Sequence, residues 1–404
     1  MTLGSMARGG WVSRITSTTA HVAAPTLAAI LVVASTPATA SHRASIRFGA
    51  PVVADDVQYT VSTAIAPVLG DDRRPDVLVT GLELGRGCYL LAYRQRRNGS
   101  LRPPRHLPVR CSHGADVSTG DIDGDRDVDV AVTAWEGILL LKQRAGRLRD
   151  RVMVPIEVGD EHAAPYIVEI ADLDRDGRRD LVTSTTDGVF VLYNRRAAFD
   201  TVQIDPNYQF ALVVHDVTGD RRLDIIGCGD DIYTNCGRLN VFEQRADGTF
   251  AEEPYEGIPP QYRSFDAIAA GDVTGDGRAD LVVTLDHDRP LNIVPQLPSG
   301  DLGERIRLDI AVNAQSVAIR DMNLDGLKDI VLVHSGNGSR SSARLGVVLQ
   351  LPQGQGWSRE RRFEASGWAY HLRSTTLAIG QLNRDRHPDA AFADGEFLAV
   401  FQQE

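Results

Sequence analysis

One short pattern recurs seven times along this 404-residue chain. It consists of an apolar strand, an aspartate-rich loop, and a second apolar strand that opens on aspartate. The fullest copy is IADLDRDGRRDLVTS, residues 170–184. Further copies are TGDIDGDRDVDVAVT from Thr119, VHDVTGDRRLDIIG from Val214, AGDVTGDGRADLVVT from Ala270, IRDMNLDGLKDIVLV from Ile319 and IGQLNRDRHPDAAFA from Ile379. A worn copy, APVLGDDRRPDVLVT, starts at Ala66. The closing aspartates are Asp76, Asp129, Asp180, Asp224, Asp280, Asp329 and Asp389, spaced 44 to 60 residues apart. That interval holds four short strands, the content of a propeller blade.

Each copy carries further strand signals. After Asp180, a turn at Thr186-Asp187-Gly188 leads to the apolar run Val189–Tyr193, a third strand. No helical periodicity competes. The pattern therefore predicts an all-β fold, a seven-bladed β-propeller of four-stranded antiparallel blades. The last repeat stops after its third strand, Leu398–Phe401. The stretch Ala44–Phe48 is expected to supply the missing strand and close the ring, removing an open sheet edge.

These repeats resemble the FG-GAP and VCBS-type repeats of integrin α-subunit propellers and of many secreted bacterial proteins. The resemblance covers nearly all of the chain after residue 40. It implies calcium bound in the loop between the first and second strands of each blade.

The loop spacing D-x-D-x-D-G-x-x-D has its own chemistry. Positions one, three and five converge in a tight loop. A carbonyl at position seven and the aspartate at position nine complete an oxygen cage suited to Ca2+. The richest sets are Asp121, Asp123, Asp125 and Asp129, and Asp172, Asp174, Asp176 and Asp180. Asp321, Asn323, Asp325 and Asp329 follow, then Asp272, Asp276 and Asp280, and Asp216, Asp220 and Asp224. Asn383, Asp385 and Asp389 are weaker, and around Asp76 only Asp72 remains in register. The same residues also favour Asx turns without any ion. Six clusters of carboxylates repel unless a cation joins them, so Ca2+ is the expected cofactor. Glycine at position six suits the turn, but Arg126 and Arg221 replace it in two copies.

The N-terminus reads as an address. Arg8 and Arg14 precede an apolar run from Val22 to Ser35, followed by Ala38-Thr39-Ala40. Residues 1–40 are expected to be a signal peptide cut after Ala40, leaving 41–404 as a secreted or periplasmic propeller. An uncleaved anchor is the alternative, although the run is short for a span. No other segment predicts membrane insertion. Export permits disulfides. Cys88 and Cys111 flank a turn at Asn98-Gly99-Ser100, and Cys228 and Cys236 bracket a short polar loop. Both pairs sit at hairpin distance, while a zinc site lacks the usual Cys-x-x-Cys clips.

With 43 basic against 54 acidic side chains and a net charge of −11, neither nucleic acid nor an anionic membrane is the expected partner. The reading is a monomeric propeller that binds a protein or carbohydrate ligand, without catalysis. The face opposite the aspartate loops offers Trp135, His162, Tyr166, Tyr208, Tyr233, Tyr262, His287, His334, Trp368, Tyr370 and His371. The alternative is an extracellular lyase or hydrolase using His162, His287 and His371 with Asp286 and Asp288 near the central channel. No H-E-x-x-H, G-x-S-x-G or P-loop spacing supports it.

Overall fold

The computed structural model describes residues 46–54, 60–70, 72–83, 87–96, 100–111, 115–156, 165–229, 239–255, 257, 265–285, 290–310, 314–334, 342–368, 377–383, 385–395 and 397–404. The expected signal segment lies outside them. They form seven four-stranded antiparallel sheets. The first strand of each blade packs against the first strands of both neighbours, and blade 7 returns to blade 1, so these strands ring the central axis. Among the described residues the helical content is one 3-10 turn, Pro352–Gly354.

Blade 3 shows the plan. Its strands are Ile167–Ala171, Asp180–Thr185, Gly188–Asn194 and Phe199–Asp205. Ala171 faces Asp180 and Leu181 faces Leu192 across the sheet. All seven second strands begin on the closing aspartate identified from the repeats. Those of blades 2 to 7 are buried along their whole length. They are apolar on both faces because each face meets another blade. Ile138 and Leu140 of blade 2, for instance, pack with Leu181 and Phe190 of blade 3. Full burial of each such side chain contributes about 1.5–3 kcal/mol. Fourth strands lie outermost and are largely exposed, as in Phe199–Asp205.

Blade 7 is composite. Its three C-terminal strands are Leu377–Gly380, Asp389–Asp394 and Phe397–Phe401, and the fourth is Val52–Ala54 from the N-terminal side. Ring closure by an N-terminal strand therefore holds, but the strand lies later than the expected Ala44–Phe48. Val52 pairs with Val400 and Ala54 with Leu398, while Phe48 makes a single bridge to Gln403. The earlier residues also pair with the C-terminal end, Gly49 N–H donating to the Gln402 carbonyl and Glu404 N–H to that of Arg47, at 3.0 and 2.9 Å, and they anchor by side chain. Ile46 is 1% exposed within a cluster of Phe392, Phe397 and Phe401. The Phe48 ring stands edge-on to Phe363 and Phe401, at centroid distances of 4.8 and 5.8 Å.

Removing residues 46–54 strips this cluster and exposes the edge of blade 7. The melting temperature is expected to fall by roughly 5–10 °C. Unchanged melting would show that the ring holds without its composite blade.

Candidate metal centre and the aspartate hub

The closing aspartate is the centre of each blade's loop end. All seven are 0% exposed. One carboxylate oxygen accepts the backbone N–H of the loop's second residue: Leu69, Ile122, Leu173, Val217, Val273, Met322 or Leu382, at 2.5–3.0 Å. The other oxygen accepts the N–H of a residue at the end of the third strand or two positions past it: Gln95, Gln143, Asn194, Gln244, Gln296, Gln350 or Gln403, at 2.8–3.3 Å. One side chain thus ties the first-to-second loop to the third-to-fourth turn. Hydrogen bonds to a charged group contribute about 1.5–3 kcal/mol each. Burial opposes ionisation and the backbone donors favour it. Burial wins, pushing Asp76 up to about 7 and Asp329 and Asp389 up to about 6. Asp129, Asp180, Asp224 and Asp280 shift upward for the same reason.

The third-strand amides escaped the sequence reading. Each is 6% exposed or less. Four reach into the preceding blade: Gln143 donates to the Pro67 carbonyl, Asn194 to Ile122, Gln244 to Leu173 and Gln403 to Met322, at 2.8–3.0 Å. A Gln or Asn after an apolar run occurs in all seven repeats, but 14 to 21 residues after its aspartate in the copies ending at Asp129 and Asp329. That variable spacing hides it from a fixed-period search.

The remaining loop carboxylates form a cage of turns. Position one accepts the N–H of position six: Asp121 from Arg126, Asp172 from Gly177, Asp216 from Arg221, Asp272 from Gly277 and Asp321 from Gly326, at 2.7–3.1 Å. Position five accepts that of position seven at Asp125, Asp176, Asp220, Asp276, Asp325 and Asp385, at 2.7–3.0 Å. The bonds from position seven to position five are the Asx turns that aspartates favour on their own. Position six has positive φ in every copy, from 49° at Arg73 to 89° at Gly326. Around Gly177, Gly277 and Gly326 a Cβ would meet nothing within 4 Å. Backbone geometry, not space, is what glycine relieves there.

Two loops bring several carboxylates to one point. Ligand oxygens of Asp121, Asp123 and Asp129 lie within 4.8 Å of one another, as do those of Asp172, Asp174 and Asp176. Oδ1 of Asp123 and Oδ1 of Asp172 are buried without a hydrogen-bond partner. Hard oxygens, two of them orphaned, fit a divalent cation such as Ca2+. In the other loops the described residues form no such group: Asp216, Asp220 and Asp224; Asp272, Asp276 and Asp280; Asp321, Asn323, Asp325 and Asp329; Asn383, Asp385 and Asp389. In the worn first loop, Asp72 pairs with Arg74 and Arg94 at 3.2 and 3.7 Å.

Clefts open beside these loops, between blades. One of about 830 Å³ lies between blades 2 and 3, lined by Asp123, Lys142, Asp176 and Arg178 among others. The second, about 630 Å³, lies between blades 4 and 5 beside Asp220 and Tyr255.

On the opposite face, Trp135 is 42% exposed, and the Tyr166 and Tyr208 rings meet edge-on at 5.3 Å. His334 is 2% exposed and bonded to Glu360, so it packs rather than presents. The Trp368 side chain and His162, Tyr233, Tyr262, Asp286, His287, Asp288, Tyr370 and His371 lie outside what the structure describes. Glu169, half-buried on the innermost strand of blade 3, is pushed up to about 8 by burial and neighbouring Asp116. Cys88 and Cys111 form the expected disulfide, with Cα atoms 5.6 Å apart. Cys228 is also disulfide-bonded, and its expected partner Cys236 lies outside the described residues.

The family of FG-GAP-like repeats matches residues 121–183 and 216–283. No curated protein matches the sequence. Solved structures share the fold. An Agrocybe aegerita lectin, described as specifically recognising non-reducing terminal N-acetylglucosamine, is 16% identical with a TM-score of 0.51, covering 76% of this chain and 81% of its own. BBS1N, solved in complex with ARL6DN, is 12% identical with a TM-score of 0.56, covering 88% of this chain and 96% of its own.

Replacing the left-handed arginines tests the loop geometry. An L-residue there costs about 1–2 kcal/mol, of which the greater unfolded freedom of glycine offsets about 0.5–1. Arg126→Gly and Arg221→Gly are each expected to stabilise by about 0.5–1 kcal/mol in chemical denaturation. A loss of stability would contradict the assigned turn.

Proposed function

We propose that this FG-GAP-like repeat propeller is an exported, non-catalytic binding module whose blades are stabilised by Ca2+ and whose ligand is a protein or a carbohydrate. The observation that carries the metal part is the convergence of Asp121, Asp123 and Asp129, and of Asp172, Asp174 and Asp176, with two buried oxygens unpartnered. An ion there ties the first-to-second loop more firmly to the rest of its blade. It also relieves repulsion among carboxylates held close together. Export rests on the basic, apolar and small-residue sequence of residues 1–40, and suits an ion abundant outside cells.

The binding role rests on the rigid ring and on its aromatic groups. Trp135 and the Tyr166–Tyr208 pair present flat apolar area with polar edges, a surface suited to sugars or peptides. Kinship of fold with a lectin favours a glycan. The lyase or hydrolase alternative rests on His162, Asp286, His287, Asp288 and His371, which lie outside the described residues.

Thermal melting with excess Ca2+ and with EDTA tests the metal. Occupancy at about 100 times Kd adds about 2.7 kcal/mol per site, so calcium is expected to raise the melting temperature by roughly 5 °C or more. A melting curve indifferent to both would remove calcium from the account. A glycan array on the same protein is expected to show selective binding. A blank array alongside recovery of a specific protein partner would shift the ligand to protein.

A further inference from the structure

The clefts between blades share a plan but not a charge. Each is walled by the loop and outer strands of one blade and by the third-to-fourth turn of the next. Between blades 2 and 3 both signs are present, Asp123 and Asp176 beside Lys142, Arg178 and Arg196. Between blades 4 and 5 acids prevail, Asp220, Glu243, Glu253 and Asp301 against Arg222. Between blades 1 and 2 a cleft of about 350 Å³ is lined by Arg94, Arg102, Arg105 and Arg147, and among the described residues by no acid.

The worn first loop is the cause. Counted back from Asp76, positions one and three are Val68 and Gly70, where blade 2 has Asp121 and Asp123. With no side chain at position three, the Arg94 guanidinium takes the space, and a Cβ on Gly70 would collide with it. Gly70 N–H donates to the Gly146 carbonyl at 2.7 Å, and a Cβ on Gly146 would strike the Gly70 backbone. Two backbones thus meet at the floor, and Leu69, Ala92 and Pro103 add apolar wall.

The arginines are poorly neutralised. Arg94 lies 3.7 Å from Asp72, and its Nε is buried without a hydrogen-bond partner. Arg102, Arg105 and Arg147 are exposed, and among the described residues none pairs with a carboxylate. An adjoining cavity of about 320 Å³ shares Gly70, Ala145 and Gly146 and adds Arg73 and Arg126, with one acid, Asp127. Such a concentration of positive charge runs against the chain's net −11. Like charges around one opening repel until an anion joins them, and guanidinium forks match carboxylate and sulfate oxygens in pairs.

We propose that the cleft between blades 1 and 2 binds an acidic sugar. Arg94, Arg102, Arg105 and Arg147 hold its sulfate or carboxylate groups, and Leu69, Ala92 and Pro103 meet its ring. A cavity of this size with apolar wall and a few charged groups suits a small organic ligand better than a bare ion. The acidic surface beyond the cleft repels a long polyanion such as nucleic acid. The site lies on the aspartate-loop face, opposite Trp135 and the Tyr166–Tyr208 pair, and uses none of the candidate calcium ligands. It is therefore a second site, independent of both earlier readings.

Calorimetric titration of the full chain with a chondroitin sulfate tetrasaccharide, which carries both anionic groups, tests it. Binding that weakens with added salt is expected, and neutral chitotetraose should not compete. Arg102→Gln with Arg105→Gln is expected to weaken binding about 10-fold, with the melting temperature unchanged. Arg359→Gln with Arg362→Gln removes the same charge from exposed positions on blade 6 and should leave affinity within about 2-fold, because salt screens distant charges. Trp135→Ala should also leave it unchanged. Absence of binding, equal weakening by the two arginine pairs, or loss on Trp135→Ala overturns the site. Inorganic sulfate or a short single-stranded DNA binding as tightly overturns the assignment to an acidic sugar.

Discussion

A buried carboxylate with both oxygens committed to backbone N–H groups organises this molecule. Each blade has one, and each joins the loop after the first strand to the far end of the third. Desolvating an aspartate is costly, and the upward shifts of all seven record that cost. The worn first blade is informative. It has lost most of the loop carboxylates yet keeps Asp76 with both bonds. The hub therefore persists where most of the other loop carboxylates are lost.

Around the hub, blades are coupled by two means. Apolar strands interleave across every interface, and buried amides carry hydrogen bonds from one blade into the one before. In four blades the residue that donates its backbone N–H to its own hub also donates its side-chain amide to the neighbouring blade. Loop geometry, strand pairing and inter-blade packing become one cooperative unit.

Much of this was legible in the residues. Second strands begin on the aspartates that the repeats pick out, because the same residue must both end the loop and start the ladder. Strand content and blade count follow from continuous apolar runs at a constant interval. The Cys88–Cys111 bridge follows from a local hairpin. Other features were hidden for physical reasons. The third-strand amides shift with turn length. The closing strand, Val52–Ala54, is three residues long and carries no alternation to mark it, while Ile46 is anchored by burial and Phe48 by a bridge to Gln403. Arg144 and Arg195, which pair with Asp123 and Asp174, come from a different turn than those carboxylates, so loop sequence alone overstates the open charge of blades 2 and 3.

Amide hydrogen exchange in the presence of EDTA tests the hub most directly. The N–H groups of Leu69, Ile122, Leu173, Val217, Val273, Met322 and Leu382 belong to irregular loops rather than strand ladders. If the closing aspartates hold them, they exchange as slowly as the amides of the second strands, with or without calcium. Fast exchange at these positions, alongside protected strands, would contradict the account.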